Sequence, residues 1–116
     1  MTKSATINVS QLVNALERVA IMVNERTSIV KFEFSNDQLT LKADTPDSGA
    51  SEDVIEIDYK DEDLAIAFNY RYVLECLKNM EAEEVVVGLN TSLSATVFKP
   101  NKEEDYVCLV MPVQIR

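Results

Sequence analysis

The chain has 116 residues, a net charge of −9, 47% apolar residues and 27% charged ones. That is enough for one modest core, read here as one domain over 1–116, and its acidity excludes phosphate-driven binding over the whole surface while leaving room for a local basic face. No apolar run reaches the roughly 20 residues of a membrane helix, and Met1-Thr2-Lys3-Ser4-Ala5 has neither a hydrophobic stretch nor a cleavage-like site, so the expectation is no membrane, no secretion signal and a cytoplasmic setting.

The first element begins at Ile7-Asn8-Val9. Ser10 follows as the expected helix cap, its hydroxyl placed to accept from a first-turn amide. Leu12, Ala15, Leu16, Val19, Ala20 and Val23 recur at helical spacing and form one apolar face, and Asn24-Glu25-Arg26 is expected to end the helix. Alternation then takes over: Val30, Phe32 and Phe34 share one face and Lys31 and Glu33 the other. Ser35-Asn36-Asp37-Gln38 reads as a hairpin connection to a strand carrying Leu39, Leu41 and Ala43. The segment from Thr45 to Ser51 reads as a mobile loop. Ile55, Ile57 and Tyr59 alternate again, and Leu64, Ile66 and Phe68 continue on another strand.

Asn69 is expected to cap a second helix with Val73, Leu74, Leu77 and Met80 on its core face. Val85-Val86-Val87 and the stretch from Leu93 to Phe98 read as strands around Asn90-Thr91. Tyr106 to Met111 reads as the last strand, apolar on both faces and therefore expected to be covered on both, with Pro112 ending its pairing. Cys76 and Cys108 read as reduced core residues rather than a bridge. The acidic residues crowd between Asp44 and Asp53, Asp58 and Asp63, Glu81 and Glu84, and Glu103 and Asp105, a pattern that suits a solvated rim.

The order repeats itself. Ile7-Asn8-Val9 and its helix core Leu12-Val13-Asn14-Ala15-Leu16 correspond to Ile66-Ala67-Phe68 and Tyr72-Val73-Leu74-Glu75-Cys76-Leu77, an offset of about 60 residues. The fold expected is α+β: a β-α-β-β-β unit duplicated over about 5–60 and 64–116, with two helices on one face of antiparallel sheets. Such a layout suits a scaffold better than a catalytic cleft. The chain has no histidine, hence neither the commonest general base nor the commonest metal ligand. Two distant cysteines make no zinc site, Gly49 and Gly88 make no phosphate loop, and Ser10 and Ser94 have no base beside them. Asp61-Glu62-Asp63 lacks the glycine turn and alternating ligands of a calcium loop. Asn8-Val9-Ser10 and Asn90-Thr91-Ser92 fit the glycosylation pattern, which a cytoplasmic chain does not use. No cofactor, no metal and no catalytic residue are expected.

Several segments in fixed order resemble one family. They are Leu12-Val13-Asn14-Ala15-Leu16-Glu17-Arg18-Val19, Asn24-Glu25, Asn36-Asp37-Gln38-Leu39-Thr40-Leu41, Ala67-Phe68-Asn69-Tyr70-Arg71-Tyr72-Val73-Leu74 and Tyr106-Val107-Cys108-Leu109-Val110-Met111-Pro112. Together they resemble the C-terminal third of the bacterial sliding clamp, the beta subunit of DNA polymerase III, over almost the whole chain. The ending Val113-Gln114-Ile115-Arg116 resembles the cyanobacterial branch. The resemblance implies a DNA-clamp domain: a non-catalytic processivity factor in DNA replication, three such domains to a subunit and six to a ring that encloses double-stranded DNA. One domain stands here where the family has three, compatible with an excised piece or with a natural short form.

The resemblance also assigns sites. DNA polymerases and the clamp loader insert short apolar peptides into a pocket between the second and third domains, whose third-domain share falls on Tyr72, Ala95, Leu109, Met111, Pro112 and Val113. Ala95 stands where the family often has serine and Gln114 where it often has arginine, so polar contacts to the peptide differ while the apolar anchors remain. The second domain's half of that pocket lies outside this chain, so weak affinity for the peptide is expected. DNA-facing candidates are Arg18, Arg26, Arg71 and Lys78, touching phosphates without reading bases, with Glu17, Glu75 and Glu81 diluting their charge. The alternative for the pocket residues is ordinary core and tail packing, and for the cations helical ion pairs. Unpaired sheet edges imply homo-oligomers. Two further readings stand beside the clamp: a module that titrates clamp partners without encircling DNA, and an unrelated enzyme working through Asp61, Glu62 or Asp63.

Overall fold

In chain order the elements are β1 (Lys3–Asn8), α1 (Val9–Ala20), β2 (Ile29–Ser35), β3 (Gln38–Thr45), β4 (Gly49–Glu56), β5 (Leu64–Asn69), α2 (Tyr70–Lys78), β6 (Glu84–Leu89), β7 (Thr96–Pro100) and β8 (Cys108–Val110). The computed structural model describes residues 3–21, 28–45, 49–90, 95–101 and 106–113.

Both helices start the same way. A strand runs into the helix without a loop, and its last residue is an asparagine in extended geometry. Asn8 Oδ1 accepts from the Gln11 amide at 2.9 Å, and Asn69 Oδ1 accepts from the Arg71 amide at 3.0 Å. The expected cap Ser10 instead lies inside α1 and is exposed. The cap must be the last non-helical residue, and with no loop before the helix that residue is Asn8. The next amide of each helix is satisfied from across the chain: Val9 donates to the Glu83 carbonyl at 2.8 Å and Tyr70 to the Ser28 carbonyl at 2.9 Å. Ser28 is buried and holds a positive φ of 54°.

α1 buries Val9, Leu12, Ala15, Leu16 and Val19, one stripe at helical spacing. It ends at Ala20; Val23 and the expected stop at Asn24-Glu25-Arg26 lie outside the described residues. α2 buries Val73, Cys76 and Leu77, with Leu74 half-buried and Met80 buried just beyond the helix.

The strands form two antiparallel sheets, ordered β1-β6-β7-β8 and β4-β3-β2-β5. Each β-α-β-β-β run therefore gives its first strand to the sheet of the other run. β1 lies against β6 with Ile7 opposite Val85, and β5 against β2 with Ile66 opposite Phe32. Thr6 and Asp58 exchange amide-to-carbonyl bonds of 3.0 Å and stitch the two sheets together. β2 turns into β3 through Asn36-Asp37, with Asp37 at φ 58°. The β3–β4 ladder continues to Thr45 opposite Gly49, so the loop expected from Thr45 to Ser51 is shorter, and its expected mobility falls at 46–48, outside the described residues.

Phe32, Phe34, Tyr59, Phe68 and Phe98 form a chain of ring contacts with centroid spacings from 5.1 to 6.3 Å, spanning both sheets. Burying aromatic rings edge to face is a large part of what holds such a core. α1 and α2 pack against each other. α1 also covers β1, β3 and β4, and α2 covers β5 and β8. The helices thus lie together, with the sheets behind them.

Two expectations about the C-terminal strand fail. It is expected from Tyr106 to Met111 and covered on both faces. The strand is only Cys108–Val110, and Val107, Leu109 and Met111 are exposed at 58%, 65% and 65%. β8 is an edge strand paired with β7 alone, and only its face bearing Val110 meets the core; among the described residues nothing covers the face bearing Val107, Leu109 and Met111. The cysteines are expected to be reduced and separate, yet Cys76 of α2 and Cys108 of β8 are joined in a disulfide with their Cα atoms 6.1 Å apart. That spacing lies in the usual range for a bridge. The sequence separation of 32 residues hides a contact that the docking of α2 on β8 creates.

Candidate functional site

Tyr72, Glu75 and Cys76 of α2 and its C-cap Asn79, at helical spacing, form one wall of a cavity of about 410 Å³. The other wall is β8 and its flanks: Tyr106, Cys108, Leu109, Val110 and Met111. Six large apolar side chains are exposed among the described residues; Tyr72, Leu109 and Met111 line this cavity, and Val107 adjoins it along the strand. A contiguous apolar patch on an otherwise acidic molecule marks a place where something docks. Met111 and Leu109 present flexible apolar surface, and Tyr72 offers a flat ring with a polar tip. Glu75 sets a carboxylate on the rim.

The two walls are tied at one residue. Tyr106 donates its phenol hydrogen to the Cys76 carbonyl at 3.3 Å, and Cys76 Sγ is bonded to Cys108. Below the groove, the Val113 amide donates to the Ala67 carbonyl at 2.7 Å, fixing the tail along β5. The structure thus gathers Tyr72, Leu109 and Met111 in one groove. Pro112 and Val113 follow directly in the tail without lining it, and Ala95 sits half-buried just before β7 and also outside its lining.

Glu75, Cys76, Asn79, Tyr106, Cys108 and Val110 line the groove and were not expected there. Helical spacing points to the first three: from Tyr72, three and four residues forward give Glu75 and Cys76, and seven give Asn79. The period of two puts Tyr106, Cys108 and Val110 on the opposite side of the strand from Leu109 and Met111, so alternation does not lead to them.

The cationic candidates sit on the exposed sides of the paired helices. Arg18 holds Asp53 of β4, with Nη2 at 2.6 Å and Nε at 2.8 Å from Asp53 Oδ2. Arg18 is exposed and Asp53 half-buried, and a surface pair of this kind is worth little, about 0 to 1 kcal/mol. Arg71 places its guanidinium 6.0 Å from the Tyr70 ring centroid, and Lys78 is exposed in the last turn of α2. Arg26 lies outside the described residues. Arg18, Arg71 and Lys78 stand against Glu17 and Glu75 on these helices, three cations to two carboxylates, on a chain whose net charge is −9. Among the described residues no group of three histidine, cysteine or acidic side chains is placed to hold a metal ion, and Asp61, Glu62 and Asp63 stand exposed between Tyr59 and β5.

The family model described as DNA polymerase III beta subunit, C-terminal domain, matches residues 1–114. The beta sliding clamp of Synechococcus elongatus is 29% identical over 116 residues, which are 98% of this chain and 31% of that protein. The crystal structure of a DNA polymerase sliding clamp from Pseudomonas aeruginosa with ligand superposes at a TM-score of 0.95 with 28% identity, over 98% of this chain and 31% of that one. A sliding clamp from Bartonella birtlesii bound to griselimycin superposes at 0.92 with 29% identity, over 97% and 30%. The chain thus spans about 31% of the length of the curated relatives it matches. By its sequence over 1–114, and with the fold to match, the chain belongs to the family of C-terminal domains of the DNA polymerase III beta subunit.

Proposed function

We propose that this chain serves DNA replication as a non-catalytic sliding-clamp domain, a processivity factor in the cytoplasm. It is read as one domain of two related halves, over about 5–60 and 64–116. In this reading the groove between α2 and β8 takes short apolar peptides from DNA polymerases and a clamp loader. Tyr72, Leu109 and Met111 are the anchors, with Ala95, Pro112 and Val113 as its flank. The paired helices face double-stranded DNA and meet its phosphates through Arg18, Arg26, Arg71 and Lys78, independent of base sequence. Copies of the chain join by their sheet edges to form a homo-oligomer around the duplex.

The observation that carries this reading is the groove itself. Three large apolar side chains, Tyr72, Leu109 and Met111, stay in solvent around one cavity where the edge strand β8 meets α2, half of the six such side chains exposed among the described residues. The test is a titration with a fluorescein-labelled pentapeptide containing leucine and phenylalanine, followed by amide NMR. Shifts should centre on Tyr72, Leu109 and Met111, and Met111→Ala should weaken binding by about tenfold, the effect of losing one apolar anchor. Shifts elsewhere, or none, reject the groove. Retention on nicked circular DNA that is lost when the circle is cut open would report encirclement, and equal retention on both forms would reject it.

A further inference from the structure

The peptide reading leaves the disulfide unexplained. Cys76 belongs to one wall of the groove and Cys108 to the other, and both line the cavity. Beyond the burial of Val110 in the core, little else among the described residues fastens β8 to α2. The strand is three residues long and pairs with β7 alone, through Thr96–Val110, Val97–Leu109 and Phe98–Cys108. The other tie across the groove is the Tyr106 hydroxyl on the Cys76 carbonyl, at 3.3 Å a long bond for two oxygens. Leu109 and Met111 flank Cys108 on this thinly held strand, so whatever holds Cys108 holds them. We propose that Cys76 and Cys108 are a redox-active couple whose state sets the affinity of the groove for apolar peptides: the bridge holds the groove open-walled and ready, and the dithiol lets β8 move.

This inference rests on the peptide-groove reading and adds a chemical input to it. Cys76 is buried at 3%, whereas Cys108 is half-buried and faces the cavity, so the reductant enters at Cys108. The partner is a small dithiol. One of its thiolates attacks Cys108 Sγ, a mixed disulfide forms, and the Cys76–Cys108 bond breaks with Cys76 leaving as a thiolate that takes up a proton. The second thiol of the reductant then attacks the mixed disulfide at its own partner sulfur. The reductant departs as a cyclic disulfide, and Cys108 leaves as a thiolate that is protonated in turn. Two electrons and two protons have moved from the dithiol to the protein pair. In a thiol-rich compartment bridges are rarely permanent, and a pair that lines a docking groove is placed to report that environment.

The experiment uses the whole chain, air-oxidised or treated with dithiothreitol, and the labelled pentapeptide above. Thiol titration should find no free thiol in the oxidised chain and two after reduction. Reduction should raise the peptide Kd by about tenfold, as when the ready groove falls to about a tenth of the population, and should speed amide exchange at Leu109 and Val110 while leaving β2 and β3 unchanged. Cys76→Ser with Cys108→Ser should bind like the reduced chain with or without dithiothreitol. Equal peptide affinity in both states of the unmutated chain overturns the redox proposal and leaves the groove standing. Two free thiols in the oxidised chain overturn it as well. No binding in either state overturns the groove reading and this proposal with it.

Discussion

Asp37 shows how much one turn residue can carry. It sits at φ 58°, a region that asparagine and aspartate tolerate better than other non-glycine residues. Its amide donates to the Tyr59 carbonyl at 2.9 Å, its carbonyl accepts from Ile57 at 3.1 Å, and its carboxylate accepts from the Tyr59 amide and from Lys60 Nζ. The β2–β3 hairpin is thereby clasped to the segment that carries Tyr59 into the core, where its hydroxyl bonds to the Glu62 carbonyl. Burial, with the carboxylates of Asp61, Asp63 and Glu62 nearby, holds the Tyr59 phenol above its usual range. Asp37 is held below the usual carboxylate range, first by the hydrogen bond from Lys60 and then by the Tyr59 amide. Lys60 is raised by the same bond. The signs fix a window. A depressed carboxyl adds stability that is complete above its unfolded pKa and is lost as pH falls through its folded one, and a raised lysine loses its share as pH climbs through its folded value. Asp37→Asn keeps the backbone geometry and the acceptor for Tyr59 but removes the charge. We expect the variant to melt slightly below the parent at neutral pH, because the pair is exposed and screened. The gap should close as pH falls below the usual carboxylate range, where the parent's carboxyl is protonated too. A gap that stays constant across thermal melts in that acid series would refute the charge account.

At the scale of single elements, the asparagine that ends each leading strand decides where its helix begins. Replacing Asn8 by alanine leaves the Gln11 amide without its acceptor, and the expected cost is about 1 kcal/mol. Ser10→Ala, at an exposed position inside α1, should change stability by less than about 0.5 kcal/mol. Urea unfolding of both variants measures the two numbers, and a larger loss at Ser10 would overturn the assignment. The sequence pointed to Ser10 because hydroxyl caps before an apolar stripe are common, and to Asn69 because nothing competed with it. Periodicity carried the rest of the helices and the strands around Phe32, Leu41 and Ile66, since those faces are buried within the chain. It failed for β8. Alternation there is apolar on both sides, and a sequence does not say whether a neighbouring element exists to cover the second. Nor does spacing reveal that Cys76 meets Cys108, a contact made only by docking α2 on β8. That Tyr72, Leu109 and Met111 share a groove was expected from family resemblance, and helical spacing leads on to Glu75 and Asn79, whereas Tyr106 and Cys108 join them only through the docking of helix against strand.

For the molecule as a whole, the sheet edges are the surfaces open to further pairing. Four strands end a sheet, and two of those ends are partly covered. β1 meets Asp58 through the bridge at Thr6, and β5 meets the tail through the Val113 amide on Ala67. β4 and β8 have no such cover among the described residues. They are different surfaces on opposite sheets, so a contact of β4 with the β8 of a second copy is head-to-tail, the kind that closes rings when the rotation allows. Val54 on β4 supports this choice, since a large apolar side chain 47% exposed on an edge strand invites pairing. Val54→Lys should blunt that edge with a charge. Light scattering at about 50 µM should then give a mass falling toward the 13.0 kDa of one chain, while the parent stays heavier. Val54 lies on α1's side of the molecule, beside Gln11, Asn14 and Arg18, and outside the lining of the α2–β8 groove. The variant should therefore bind the apolar pentapeptide as the parent does. Separate responses would place assembly and peptide capture on different surfaces of one small fold, whereas tighter peptide binding by the variant would mean that the β8 edge serves peptide and neighbour in turn.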